Sequence, residues 1–193
     1  VQTGELATIT TFSDFAFDQK GNMFISDRLN HQIRKIDTKG NATTIAGTGE
    51  SGYYGDGGPA SEAAFRDPCA LATDKEGNLY IADGANNLIR KIDTKGIVST
   101  IAGNGKHDNS GDGGPALEAS IRNMDYLKVS PKGELHIVGM NSNVIRKLTS
   151  DGKIVKVAGR GYQGYSGDGG PATKAMLKSP LAIAFDSKNN MYI

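Results

Sequence analysis

Apolar and polar positions along this chain recur at a fixed interval. Ile33-Arg34-Lys35 returns as Ile89-Arg90-Lys91 and Ile145-Arg146-Lys147, and Gly55-Asp56-Gly57-Gly58-Pro59-Ala60 returns at 111–116 and 167–172, each series stepping by 56 residues. Self-similarity at a constant period marks a stacked or radial repeat. Within one period, four short apolar runs alternate with glycine-containing turns, which predicts four β-strands; in the second unit they fall at 70–73, 79–83, 88–92 and 98–102. The connections Lys75-Glu76-Gly77-Asn78, Gly84-Ala85-Asn86-Asn87 and Thr94-Lys95-Gly96 supply residues that tolerate positive φ and bond their own backbone.

Ile33 and Ile36 have opposite parity on one strand, so the small sheet is apolar on both faces. Neighbouring copies arranged radially cover both, and the expected fold is all-β: a β-propeller of four-stranded antiparallel blades. The units run 12–67, 68–123 and 124–179, each with its interblade loop. Residues 1–11 read as the end of a preceding blade, where 5–10 matches an outermost strand, and 180–193 as the start of a fourth. About three and a half blades are present. An open arc leaves apolar faces uncovered, so missing blades or a partner chain are expected to close the ring. A closed four-bladed ring is the alternative, but most of the third strand of its last blade has no source in the chain. The first junction is also short, since Ile9 and Asp18 are 9 positions apart where Ile45 and Asp74 are 29 apart.

Asn78-Leu79-Tyr80-Ile81-Ala82-Asp83, followed by Asn86, Asn87 and Ile89-Arg90-Lys91, resembles the NHL repeat. The long Tyr54-Gly55-Asp56-Gly57-Gly58-Pro59-Ala60 connection is similar to that of NHL propellers common in bacterial secreted or cell-surface proteins. The resemblance implies a six-bladed ring and an extracellular, periplasmic or cell-surface location. For function it implies only a range, from protein-, RNA- and glycan-associated modules to a few enzymes.

Charge narrows that range. With 22 Lys plus Arg against 21 Asp plus Glu, no global field attracts nucleic acid, and nucleic acid is not expected as a partner. No apolar run reaches the ~18 residues of a membrane helix, so direct membrane insertion is not expected, and 1–4 lack a signal-peptide pattern. The single cysteine, Cys69, excludes an intrachain disulfide framework and reads as a small packed residue.

In a four-stranded meander the first and third turns lie on one face, and the second turn and the interblade connections on the other. Long loops on one face make it the expected ligand face. Tyr53, Tyr54, Tyr162 and Tyr165 flank the inserted loops, with His31, Asn87 and Asn141 on the shorter loops of the same face. Rings beside amide donors suit a glycan, peptide or protein. Each insertion carries proline followed by spaced apolar residues, which predicts a one- to two-turn helix starting at the proline. Asp56, Asp112 and Asp168 place one carboxylate per loop, against six to eight oxygens for calcium; turn structure is the preferred reading, no cofactor is expected, and calcium is the one these loops would take.

Arg34 and Arg90 are expected to pair with Asp27 and Asp83 across their hairpins, whereas Gly139 leaves Arg146 to find another partner. The third unit departs further, with Lys128 where other innermost strands carry Ala16, Ala72 and Ala184, and His136 where others carry Phe24, Tyr80 and Tyr192. Lys128 is expected near the central channel, facing solvent, a ligand or a carboxylate such as Asp14. His31, His107 and His136 occupy three different unit positions, so no radial histidine cluster is visible. A non-catalytic recognition scaffold is the leading expectation; a propeller lyase or lactone hydrolase with a metal in the central channel is the alternative.

Overall fold

The computed structural model describes residues 12–193; the strand expected over 5–10 and the start of the short first junction lie outside them. Three four-stranded antiparallel sheets follow one another, each an up-and-down meander. The first holds β1 (Phe12–Phe17), β2 (Met23–Asp27), β3 (Gln32–Ile36) and β4 (Ala42–Ala46). The second holds β5 (Pro68–Thr73), β6 (Leu79–Asp83), β7 (Leu88–Ile92) and β8 (Val98–Ala102). The third holds β9 (Tyr126–Val129), β10 (Leu135–Gly139), β11 (Val144–Leu148) and β12 (Ile154–Ala158), and β13 (Ala184–Phe185) with β14 (Met191–Tyr192) begins a fourth.

In the second sheet three strands begin and end where the apolar pattern places them. β5 starts two residues earlier, at Pro68, which opposes Asp83 beyond a bulge. Proline is tolerated there because a first strand residue need not donate to the ladder. Register repeats faithfully: Ile25, Ile81 and Ile137 face Arg34, Arg90 and Arg146.

The two-sided strand reading is observed directly. Ile89 packs into the cluster shared with the third sheet, through Ile121, Met124 and Leu127, while Ile92 packs into the cluster shared with the first, through Phe24 and Ile33. Fully burying each such side chain contributes about 1.5–3 kcal/mol. Small residues Ala70, Ala72 and Ala82 lie on the side of the second sheet toward the third, near its innermost strand, where sheets approach one another.

Short turns on one face are closed by aspartates. Asp74 Oδ1 accepts from the Asn78 N–H at 2.8 Å and Oδ2 from the Asn78 side chain at 2.7 Å. Asp18, Asp37 and Asp186 repeat this arrangement with Asn22, Asn41 and Asn190. At Asp74, burial acts to raise the carboxyl, but these bonds and one from Tyr80 outweigh it and leave it below the usual range.

The interblade helix is shorter than expected. Ala60–Glu62 and Ala172–Lys174 are single 3₁₀ turns, and Pro59 precedes the first as its extended cap rather than opening it. The backbone is needed elsewhere. The Ala60 N–H donates to Gly96 O in the next sheet at 2.8 Å, and Ala64 and Phe65 bridge back to Tyr54 and Ser51, which stops any further helical turn.

Candidate recognition surface

The first and second long loops are each fastened to the blade that follows by a buried arginine. Arg90 on β7 is fully buried. Its Nε and Nη2 donate to Asp56 Oδ1 at 3.1 and 2.8 Å, Nη1 to Ala64 O at 3.3 Å, and Nη2 to Tyr54 O at 3.3 Å. The Tyr53 and Phe65 rings lie 5.0 and 5.2 Å from the guanidinium carbon. Arg146 repeats the arrangement with Asp112 at 2.9 Å and Ser120 O at 3.1 Å, and Asn109 takes the place of the tyrosine.

The hairpin pairing expected between Arg90 and Asp83 is formed, but that expected between Arg34 and Asp27 needs correction. Asp83 lies 3.5 Å from Arg90, a longer contact than that with Asp56. Asp27 instead accepts from Asn30, and Arg34 donates to Thr44 at 2.6 Å while its buried Nε has no partner among the described residues. The physical reason is register: the arginine sits opposite the isoleucine two residues before the aspartate, so its fork reaches outward to the preceding loop. Asp56 and Asp112, the positions suggested for calcium, face these arginines. Burial acts to raise the Asp56 carboxyl, but bonds from Thr100 and the Arg90 charge outweigh it and hold it low. Asp83 is different, since burial pushes it up to about 6 against bonds from Asn86, the Arg66 N–H and Arg90.

The small loops of the same face are held by left-handed residues. His31, Asn87 and Asn143 have φ of 55°, 55° and 53°. The Asp67 N–H donates to His31 Nδ1 at 3.3 Å, and the Ser179 N–H to Asn143 Oδ1 at 2.9 Å. Asn87 is buried, donates to Gly105 O and lies 3.4 Å from His107. His31 and Asn87 thus spend their polar atoms on the loops, whereas Asn141 is exposed.

The tyrosines divide in the same way. Tyr53 covers Arg90 and lies within hydrogen-bond distance of Thr100 and Asp56. Tyr54 is tied to Thr48 and Glu50, with about half its surface open. Tyr162 and Tyr165 are 70% and 87% exposed, and Leu29 and Leu117 join them at 62% and 56%. Neither leucine was singled out by sequence, although Leu117 stands where the sister loops carry Ser61 and Thr173.

Departures of the third unit are paired replacements. Gly139 and Ser142 stand for Asp83 and Asn86, and a Cβ at Gly139 would meet Ser142 Oγ at 2.0 Å. Ser130 and His136 stand for Asp74 and Tyr80, whose hydroxyl donates to the carboxylate at 2.9 Å. His136 instead packs its ring against that of Phe185, with centroids 4.8 Å apart and planes tilted by 60°, and burial pushes its pKa down. On the innermost strands, Lys128 is exposed and lines an open groove of about 400 Å³ with Asp14, Phe15, Phe17 and Tyr126. Burial raises the Asp14 carboxyl against N–H bonds from Leu71 and Phe15 and the Lys128 charge. Among the described residues, no three His, Cys, Asp or Glu side chains come together as a metal site, and no helix is long and apolar enough to cross a membrane.

Residues 47–111 match the Teneurin NHL domain family. Teneurin-m of Drosophila melanogaster is 32% identical over 197 residues, covering 90% of this chain and 7% of its own length. The chain is an NHL-repeat β-propeller segment.

A protein of unknown function from Bacteroides thetaiotaomicron shares this NHL propeller's architecture with a TM-score of 0.69 at 19% identity, over 93% of this chain and 43% of that one. An auxiliary nutrient binding protein from the same organism aligns with a TM-score of 0.66 at 16% identity, over 92% and 43%. The chain therefore spans under half of these propellers and a small part of the teneurin. The first Gly-Asp-Gly-Gly loop, which resembles a bacterial feature in sequence, lies inside the match to the teneurin domain. In this NHL propeller segment that loop's aspartate anchors the next blade, and the side chains around it form the open face.

Proposed function

We propose that this chain is a non-catalytic recognition scaffold that holds a protein, peptide or glycan partner on its loop-rich face, in an extracellular, periplasmic or cell-surface setting. The observation that carries this reading is the one-sided placement of exposed apolar side chains. Leu29, Tyr53, Tyr54, Leu117, Tyr162 and Tyr165 all project from connections on that face. The opposite face shows Lys20, Lys39, Lys75, Lys95, Lys132 and Lys188 at the tips of its turns. Other exposed large apolar residues lie on β1 and in the fourth unit. Exposed apolar groups among polar neighbours mark contact surfaces.

Rigid loops suit the task. Arg90 and Arg146 hold two of the three long loops by buried ionic contacts, so little ordering entropy remains to be lost on binding. The test is a glycan array and a displayed peptide library probed with the wild-type chain and with a variant carrying Leu29→Ser, Tyr54→Ser, Leu117→Ser and Tyr162→Ser. These side chains are outside the arginine clusters, so the fold is retained. The expected result is selective retention of one ligand class by the wild type and its loss in the variant. Equal binding by the two proteins, or no retention of any class, contradicts the reading.

A further inference from the structure

A cleft on the loop-rich face lies where the first long loop, the turn between β6 and β7 and the start of the second long loop meet. It holds about 470 Å³, and small-molecule sites span roughly 300–1,000 Å³. Its lining residues run from Tyr53 to Gly105, well inside the chain and within complete elements. Arg66 is the one charged side chain among the described residues that line it, and no acid does. That side chain is exposed, with no ion pair or hydrogen bond to a described residue. The acids nearby are engaged elsewhere. Asp67 pairs with Arg28, and buried Asp83 accepts from the Arg66 N–H at 2.7 Å, from Asn86 at 2.9 Å and from Arg90. Arg66 O accepts from the Ala85 N–H at 3.0 Å, so both main-chain groups fix the root of the side chain beside the cleft. One face of the Tyr53 ring covers Arg90, and with 53% of the residue exposed the opposite face is open. Asn86 spends Nδ2 on Gly52 O and Asp83, which leaves its Oδ1 without a partner among the described residues. Buried Leu88 adds an apolar wall.

We infer that this cleft is a subsite for a carboxylate-bearing sugar, a hexuronic or sialic acid residue of a glycan, gripped by Arg66 and packed on Tyr53. The inference rests on the recognition reading and names its ligand class. A guanidinium takes a carboxylate through two parallel N–H···O bonds. The open ring face packs against the C–H face of a pyranose, and Asn86 Oδ1 accepts from a sugar hydroxyl. An acidic peptide fits less well. Strand addition needs free main-chain groups, whereas the Gly103 N–H is bonded to Ala116 O, the Ala85 N–H to Arg66 O and the Gly105 C=O to Asn87 Nδ2. What the cleft offers is a ring, a cation and an amide oxygen. The next unit keeps the cation as Arg122 but carries Asn109 for Tyr53 and Ser142 for Asn86, so the full set occurs at the first junction and not at the second.

The experiment probes an array of glycans ending in hexuronic or sialic acid, each printed beside its carboxyl-reduced counterpart, with the 193-residue chain. The wild type is expected to retain at least one acidic glycan about tenfold or more tightly than the reduced form. Arg66→Gln is expected to remove that preference. Arg160→Gln, which takes one exposed charge from the same face outside the cleft, is expected to leave it intact. Tyr53→Leu keeps an apolar cover over Arg90 and is expected to weaken retention of the acidic glycan several-fold; circular dichroism checks that all three variants fold. Equal retention of the acidic and reduced forms, or a preference that survives Arg66→Gln, overturns the inference. A neutral glycan or a peptide retained by the wild type and lost in the four-fold Ser variant, with no acidic glycan retained, upholds the recognition reading and overturns this one. No retention of any class overturns both.

Discussion

Replacing Arg90 by alanine tests how the blades are fastened. The side chain is wholly buried and bonds one exposed and one fully buried carboxylate, at 2.8 and 3.5 Å, together with two loop carbonyls. Its removal leaves Asp83 charged inside the sheet and unfastens Tyr53 and Phe65. Breaking a buried ionic contact in this way costs about 3–5 kcal/mol, equivalent to about 6–20 °C in Tm for a chain of this size. Arg34→Ala is the matched control. Arg34 occupies the same place in the first blade but donates to Thr44 and meets no carboxylate among the described residues, so its loss is expected to cost about 1 kcal/mol or less. Asp83 adds a pH signature. Its folded pKa of about 6 lies above the unfolded value, so its contribution is complete below about pH 4 and is lost as pH rises through 6. Without Arg90 the carboxyl rises further, so the Arg90→Ala penalty is larger at pH 8 than at pH 4.5. Urea unfolding followed by circular dichroism at both pH values reads both differences. Equal costs at Arg34 and Arg90, or an Arg90 cost independent of pH, refutes the reasoning.

The other expectations concern single sites. Burial pushes the Cys69 thiol up to about 12, and Sγ donates to Met124 O at 3.2 Å, so alkylation by iodoacetamide at pH 8 is expected only after denaturation. Gly139→Ala brings a Cβ onto Ser142 Oγ; it is expected to destabilise by about 1–3 kcal/mol, and adding Ser142→Ala is expected to recover part of the loss in urea midpoints. Burial depresses the pKa of His136 and so favours its neutral form in the folded chain. Its contribution is therefore present above the unfolded value of about 6.5 and falls as pH drops below it. Wild type is accordingly expected to lose stability relative to His136→Phe between pH 7.5 and 5, measured by thermal unfolding.

The strands were legible because their apolar spacing repeats without error: Leu79 to Asp83, Leu88 to Ile92 and Val98 to Ala102 stand where the pattern places them. The face carrying the long loops followed from strand count alone. Partners of the arginines were harder to read: Arg90 does meet Asp83 across its hairpin, but its shorter contact is to a loop 34 residues upstream, and Arg34 leaves Asp27 to Asn30. That offset is itself a signal, since Asp56 precedes Arg90 and Asp112 precedes Arg146 by the same interval. Loop residues were the least legible. His31 and Asn87 look like ligand donors in sequence, but left-handed backbone and N–H or C=O partners consume them. Composition does not reveal which polar groups a turn will use.

Hydrogen–deuterium exchange of the chain with and without the ligand retained in the array screen tests most directly where recognition occurs. Protection is expected in the connections 28–31, 47–67, 104–123 and 160–178, with the turns at 18–22, 37–41, 74–78, 93–97 and 130–134 unchanged. Protection confined to those lysine-tipped turns, or to the innermost strands around Lys128, contradicts a recognition surface built from the long loops.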